Sequence, residues 1–135
     1  MAEVSLVGYK IKKIDMINAI KQQGELKITN SFGFNVAYTP EDTKAIAELT
    51  ETLQMADRPE EFHIELTLEG VFDLTGIVDV ETKKDAHLMC YDSLFPYANQ
   101  IVTQLASNSG MSGLMLKKIP MKRENIQFGK NPVGD

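Results

Sequence analysis

Cysteine and long apolar runs are both scarce in this chain of 135 residues, and each shortage excludes a class of protein. Cys90 is the only cysteine, so no disulfide can form within the chain and a disulfide-stabilised secreted scaffold is excluded. No apolar run approaches the ~20 residues that cross a bilayer, so we expect no membrane insertion. The first residues carry an acid and place their lysines after their apolar residues, unlike a signal peptide. We therefore expect a cytoplasmic protein.

Positive charge is also in short supply. The formal net charge is -5, and the isoelectric point is near 5.0. Because nucleic-acid binding depends mainly on cationic contacts with phosphates, we expect no nucleic-acid partner. The length is typical of one domain with one hydrophobic core. We expect a single domain over residues 1–128 and a mobile tail over residues 129–135.

The sequence has no recognisable catalytic, nucleotide or metal motif. His87 and Cys90 would share a helix face, but zinc needs four ligands, and the only other histidine, His63, lies in a predicted strand. We interpret His87 and Cys90 as a surface histidine beside a half-buried thiol. Residues 110–118, GMSGLMLKK, lack the order of a phosphate-binding loop. We therefore expect no enzyme, no cofactor and no metal.

Two segments, residues 25–38 and 62–74, alternate apolar and polar residues with a period of two, which predicts strands buried on one face. Their apolar faces are Leu26, Ile28, Phe32, Phe34, Val36 and Tyr38 in the first, and Phe62, Ile64, Leu66, Leu68, Phe72 and Leu74 in the second. The opposite face of the second strand is acidic. Residues 4–17 also favour a strand, but their apolar phase shifts across Lys12 and Lys13, which predicts a bulge.

Residues 44–55, KAIAELTETLQM, fit either a helix or a strand. Their composition slightly favours a helix, and the preceding TPED resembles a helix start. A period-two pattern also exists, with Glu51 interrupting its apolar face.

The chain becomes helical after residue 80, up to about Ser107. Pro96 predicts a new helix that begins near Ser93 or Leu94, because proline is tolerated in a first turn. We therefore predict an α+β domain, in which a four-stranded antiparallel meander is followed by a short and a long helix. The long helix is apolar on more than one face, which indicates a contact with another subunit in addition to the sheet. The candidate interface comprises Leu94, Phe95, Tyr97, Ala98, Ile101, Val102 and Leu105.

Two linked motifs carry a family resemblance. The strand end GVFDLTG at residues 70–76, followed later in the chain by LFPYA at residues 94–98, resembles the SecB protein-export chaperones. The resemblance implies that residues 44–55 form the third of four antiparallel strands, and we predict a strand there. It also implies a dimer of dimers in which the long helices pack between two eight-stranded sheets.

The same resemblance implies a function without ATP. SecB-like chaperones hold unfolded preproteins in apolar grooves, and the sheet's outer face contacts the SecA motor. By pattern, the groove residues would be Phe32, Phe34, Tyr38, Phe72, Met111, Leu114 and Met115. Plain core packing is the alternative interpretation of all of these except Phe72. The candidates for the SecA-facing surface are Glu48, Glu65 and Glu69. The connection after the first strand is shorter than in the family. This leaves an alternative open, a dedicated chaperone or partner-binding subunit for one client such as an antitoxin.

Overall fold

The computed structural model describes residues 1–21, 26–111 and 113–128. Four strands come first: β1 (Glu3–Asn18), β2 (Ile28–Tyr38), β3 (Lys44–Met55) and β4 (Phe62–Thr75). One long helix, α1 (Val80–Asn108), and a short 3-10 helix at Arg123–Asn125 follow. The predicted tail at residues 129–135 lies outside the described residues.

The strands form one antiparallel sheet in the order β1-β4-β3-β2. β2, β3 and β4 make the predicted meander. β1 departs from that prediction, because it pairs with β4 at the far side of the sheet from β2. The connection between β1 and β2 therefore crosses the sheet, and both strands lie at its edges.

The prediction that residues 44–55 form a strand is confirmed. β3 lies between β2 and β4, and its buried residues alternate, with Ala45, Ala47, Leu49 and Leu53 all in the core. A helix over the same residues would not place these four side chains on one face. Burial in the sheet therefore overrides the local preference for helix.

The predicted irregularity in β1 is also confirmed. The pairing of β1 with β4 shifts between Leu6 and Gly8 and again between Ile11 and Lys13. The second shift falls at the two lysines where the apolar phase moves in the sequence. Each bulge inserts an extra residue, so that the apolar residues on both sides of it lie on the same face of the sheet.

The prediction of a short and a long helix is wrong, because α1 is one continuous helix of 29 residues with Pro96 inside it. Proline inside a helix costs about 3 kcal/mol, since it removes a hydrogen bond and clashes with the preceding turn. Tyr91 and Leu94 on one side of Pro96, and Ala98 and Val102 on the other, are all buried. Burial along one unbroken face offsets that cost.

A capping box explains why α1 begins at Val80. The Asp79 carboxylate accepts a hydrogen bond from Thr82 N at 2.8 Å, and Thr82 Oγ1 accepts one from Asp79 N at 3.1 Å. The bond from Thr82 N, together with one that the Thr82 hydroxyl donates to the carboxylate at 2.9 Å, holds the pKa of Asp79 below its usual range. The capping box also satisfies backbone donors that the first turn of a helix leaves free.

Candidate functional site

A cavity of about 670 Å³ lies between the edge strand β2, the first half of α1 and residues 121–128. Most of its lining is aromatic or aliphatic. The apolar lining residues are Phe32, Phe34, Val36, Ala37, Tyr38, Met121, Ile126 and Phe128, and the polar ones are Asn35, Lys83, His87, Asn125 and Gln127. We call this cavity the β2 groove.

Aromatic rings contact one another along the groove. The ring centroids of Phe34 and His87 are 5.2 Å apart, and those of Tyr38 and Phe128 are 5.7 Å apart, both in edge-to-face arrangements. Lys83 Nζ lies 4.5 Å from the Tyr38 ring centroid and 3.0 Å from Asp42 Oδ1. The apolar lining therefore has one cation at its rim, already paired with a carboxylate.

His87 is not the surface residue that the sequence predicted. Its Nδ1 lies 2.9 Å from Tyr38 Oη, and burial lowers the pKa of its imidazole to about 4. Burial also raises the pKa of Tyr38. Both side chains are consequently uncharged at neutral pH, and they form a neutral hydrogen-bonded pair in the groove.

Residues 121–128 form the outer wall of the groove. Arg123 fastens this wall to α1 through ion pairs with Glu81 and Asp85, the first with Nη2 and Oε2 2.7 Å apart. Arg123 also donates to the Glu81 carbonyl oxygen at 2.8 Å. The side-chain contacts with Glu81 and Asp85 raise the pKa of the Arg123 guanidinium. The wall therefore has a defined position although it is largely irregular.

The structure brings together three of the predicted groove residues, Phe32, Phe34 and Tyr38. Phe72 is 0% exposed in the core, and Met111, Leu114 and Met115 do not line the β2 groove. The sequence reasoning missed Met121, Ile126 and Phe128. The signal that could have identified them is their apolar character within an otherwise polar segment.

The residues predicted for the subunit interface divide into two groups. Leu94, Phe95, Ala98 and Val102 are buried inside the subunit, whereas Ile101 and Leu105 are half-buried and Tyr97 is 37% exposed. The Tyr97 ring packs on Tyr9 of β1, with centroids 4.6 Å apart.

The residues beside this pair extend its apolar surface. Tyr9, Ile11 and Ile14 of β1 pair with inward-facing residues of β4 and are nevertheless exposed. Together with Tyr97 they form an apolar surface, which we call the β1 surface, where the helix leaves the sheet uncovered.

The outer face of the sheet carries the predicted acidic residues Glu48, Glu65 and Glu69. Glu48 and Glu69 lie directly opposite each other on β3 and β4, and Lys12 Nζ contacts both carboxylates, at 2.7 and 3.8 Å. This pairing raises the pKa of Lys12. Lys13 Nζ lies 3.7 Å from Glu65 Oε2. Lysines of β1 therefore neutralise part of this acidic face.

The side chains that could bind a metal ion or act as a nucleophile are poorly positioned to do so. Asp15, His63 and Glu65 have ligand atoms within 4.8 Å of one another on the outer face, but Lys13 competes for Glu65. Cys90 is buried in the core, and burial raises the pKa of its thiol to about 12. A thiol that remains protonated and buried is a poor nucleophile.

Comparisons with known proteins agree with the fold and the motifs. A family model described as preprotein translocase subunit SecB matches residues 14–123, which include the end of β1, all of β2 to β4 and all of α1. The chain belongs to the SecB family. The resemblance carried by residues 70–76 and 94–98 is thus confirmed.

Curated SecB relatives are similar over much of the chain. The protein-export protein SecB of Orientia tsutsugamushi strain Boryong is 29% identical over 122 residues, covering 87% of this chain and 76% of that protein. The protein of the same name from Hydrogenovibrio crunogenus is 31% identical over 74 residues, covering 55% of this chain and 49% of that protein.

A solved SecB-like structure has the same fold. The Mycobacterium tuberculosis SecB-like chaperone, in complex with a ChAD peptide from the HigA1 antitoxin, superposes with a TM-score of 0.63 at 14% identity, covering 87% of this chain and 88% of that one. In the part of our SecB-family chain that the structure describes, no helix is long and apolar enough to cross a membrane.

Proposed function

We propose that this SecB-family protein is an ATP-independent holdase that binds extended, unfolded polypeptide segments in the β2 groove. The observation that carries the proposal is the mainly aromatic and aliphatic lining of a cavity of about 670 Å³ on a subunit with no nucleotide motif. Burial of client side chains there contributes about 25 cal/mol per Å² of apolar surface. Such burial depends little on client sequence, as a holdase requires.

The position of β2 favours an extended client. β2 is an edge strand, and the consecutive residues from Phe34 to Tyr38 line the groove. Neighbouring strand residues point to opposite faces, so a cavity that touches five in succession runs along the strand's free edge. An added strand can hydrogen-bond to that edge whatever its side chains are. The client's alternate side chains then enter the apolar lining.

We further propose that a second copy covers the β1 surface and that two such dimers form a tetramer. The supporting observations are the exposed edge of β1 and the adjacent apolar side chains Tyr9, Ile11 and Tyr97. A long unprotected edge strand is a liability in a monomer, and pairing with another copy removes it. The outer sheet face with Glu48, Glu65 and Glu69 is the proposed contact for SecA.

Suppression of aggregation tests the holdase function. A chemically denatured client is diluted into buffer without nucleotide, and its light scattering is followed at increasing ratios of this protein. We expect suppression that saturates near a fixed stoichiometry. Scattering that is unchanged at every ratio would rule the proposal out.

The range of clients separates a general holdase from a dedicated chaperone. The Mycobacterium tuberculosis neighbour was solved with an antitoxin peptide, so a one-client function is the second candidate. We expect several unrelated unfolded proteins to compete for one site. Binding of a single client, with no competition from the others, would instead establish the dedicated function.

A further inference from the structure

One carboxyl group lies in the core without a full set of partners. Glu51 of β3 is 1% exposed and lies directly across from Phe32 of the β2 groove. Its Oε1 accepts a hydrogen bond from Asn30 Nδ2 at 3.2 Å, whereas Oε2 has no partner among the described residues. Burying a carboxyl with an unused oxygen costs free energy in either charge state, and more in the ionised one.

Asn30 connects this carboxyl to the C-terminal segment. With its Nδ2 directed to Glu51, its Oδ1 accepts a hydrogen bond from Lys117 N at 2.8 Å. Lys117 belongs to residues 114–119, which we call the strap. Two other side chains also hold the strap: Asn99 Oδ1 accepts from Leu116 N at 3.0 Å, and Tyr91 Oη donates to the Ile119 carbonyl at 2.7 Å.

The strap leads directly into the wall of the β2 groove. Met121, two residues after the strap, lines both the groove and a smaller cavity of about 360 Å³ beside Tyr91. The Tyr91 ring contacts Phe32 and Phe34, with centroids 5.1 and 5.5 Å apart. Release of the strap would therefore expose Tyr91 and join the two cavities.

We propose that Glu51 is a positioning residue for the groove: through Asn30 it holds the strap closed, and loss of its proton releases the strap and enlarges the client site. The proposal rests on the function proposed above and adds its regulation. Ionisation strengthens the hydrogen bond that Glu51 accepts from Asn30, but the loss of hydration in the closed arrangement outweighs this gain. The ionised carboxylate therefore gains more than the protonated carboxyl when the strap leaves and water enters. Proton loss therefore favours the open arrangement.

Among the described side chains around Glu51, none other than Glu51 itself titrates near neutral pH. Asn30 and Phe32 on β2 and Leu66 on β4 do not ionise, and burial raises the pKa of Tyr91 on α1 to about 12. In the strap, Lys117 is exposed, and Lys118 is paired with Asp92 at 2.7 Å. Burial raises the pKa of Glu51 itself to about 7.

These values predict how opening depends on pH. If the open strap leaves Glu51 with its ordinary pKa of about 4.3, the opening constant rises about tenfold per pH unit until pH reaches about 7. Above pH 7 Glu51 is ionised in both the closed and the open arrangement, and the opening constant no longer changes with pH. A slope that ends near pH 7 is the signature of this carboxyl.

Hydrogen exchange of the free protein is the first measurement. Exchange of the Leu116 and Lys117 amides, corrected for the intrinsic effect of pH, gives the opening constant of the strap between pH 5 and 8. We expect the tenfold slope in the wild type and no slope in Glu51→Gln. A flat wild-type profile overturns the proposal even if the variant fails to fold. The proposal is equally overturned if the strap exchanges only as slowly as the amides of β4.

Asn99→Ala is the matched control. It removes the hydrogen bond to Leu116 N without touching Glu51, so it raises the opening constant at every pH and keeps the slope. Loss of the slope in Asn99→Ala would show that the pH dependence does not come from Glu51.

Client affinity is the second measurement. Titration with a fluorescent, permanently unfolded polypeptide should show affinity rising from pH 5.5 to pH 7 in the wild type and remaining constant in Glu51→Gln. Equal pH profiles in the two proteins would overturn regulation of the groove. If no client binds at any pH while the opening constant of the strap keeps its pH dependence, the proposed function fails and the positioning role of Glu51 remains.

Discussion

Tyr38 Oη and His87 Nδ1 lie 2.9 Å apart and join the end of β2 to the first half of α1 inside the groove. The contact fixes the groove's depth, because Phe34 and Phe128 pack against the same imidazole ring. A protonated His87 would bring charge into this apolar lining. The stability of the groove should therefore depend on pH.

The first prediction concerns acid. Because the pKa of His87 is lowered to about 4 from its ordinary 6.5, the unfolded chain takes up this proton first as pH falls. The contribution is fully present above pH 6.5 and is lost as pH falls to about 4, which amounts to about 3 kcal/mol. Urea unfolding should show this loss in the Glu51→Gln variant, where no buried carboxyl of opposite pH dependence offsets it. In His87→Gln the glutamine can still accept a hydrogen bond from Tyr38 but takes up no proton, so this loss should be absent.

The second prediction has the opposite sign. The pKa of Glu51 is raised to about 7, so its contribution is fully present below about pH 4.5 and is lost as pH rises to about 7. In the wild type this loss offsets the gain from His87 over the shared range. We expect the unfolding free energy of Glu51→Gln to rise from pH 4 to 6.5, and that of His87→Gln to fall from pH 4.5 to 7. Parallel profiles for the two variants would contradict the assignment.

The fold was predictable where one physical signal dominated. The alternation in residues 62–74 places every apolar residue except Val71 on one face, and β4 is observed at Phe62–Thr75. Residues 44–55 needed the family resemblance, because neither alanine nor glutamate marks a strand. Pro96 misled for a related reason: a local rule ends the helix there, whereas burial on both sides of the proline continues it.

The site was predictable only in part. Phe32, Phe34 and Tyr38 follow from the period of β2, but the opposite wall comes from residues 121–128, which have no periodicity. Their position depends on Arg123 reaching Glu81 and Asp85 on α1. No spacing in the sequence encodes such a long-range ion pair. Phe72 is the opposite case. The alternating pattern places it on the apolar face of its strand, as it does Phe34, but Phe72 is completely buried in the core.

The third prediction tests a glycine under the helix. A Cβ on Gly70 would lie 2.8 Å from Leu94 Cδ2 and 3.2 Å from Phe72 Cε2, both in the buried core. Gly70→Ala should lower the unfolding free energy by about 1 to 3 kcal/mol through overpacking. Gly33→Ala is the control, because nothing lies within 4 Å of the added atom. Equal effects of the two changes would contradict the close approach of α1 to β4.

The fourth prediction concerns the groove. Phe34→Ala should weaken binding of an unfolded client about tenfold or more, because it removes an aromatic side chain from the lining. Ile46→Ala is the matched control, since Ile46 is 50% exposed on the outer face of the sheet. Fluorescence titration with one labelled client compares the two. A similar loss in both variants would place the client elsewhere.

The fifth prediction concerns the subunit contact. Tyr97→Glu places a carboxylate on the β1 surface, where an interface with a second copy would bury it without a partner. We expect a smaller assembly in light scattering coupled to size exclusion. Gln100→Glu introduces the same charge at an exposed position of α1 and should leave the assembly unchanged. If Tyr97→Glu keeps the wild-type mass, the β1 surface is not the subunit contact. Because Tyr97 packs on the exposed ring of Tyr9 rather than in the core, unfolding would not explain a smaller assembly.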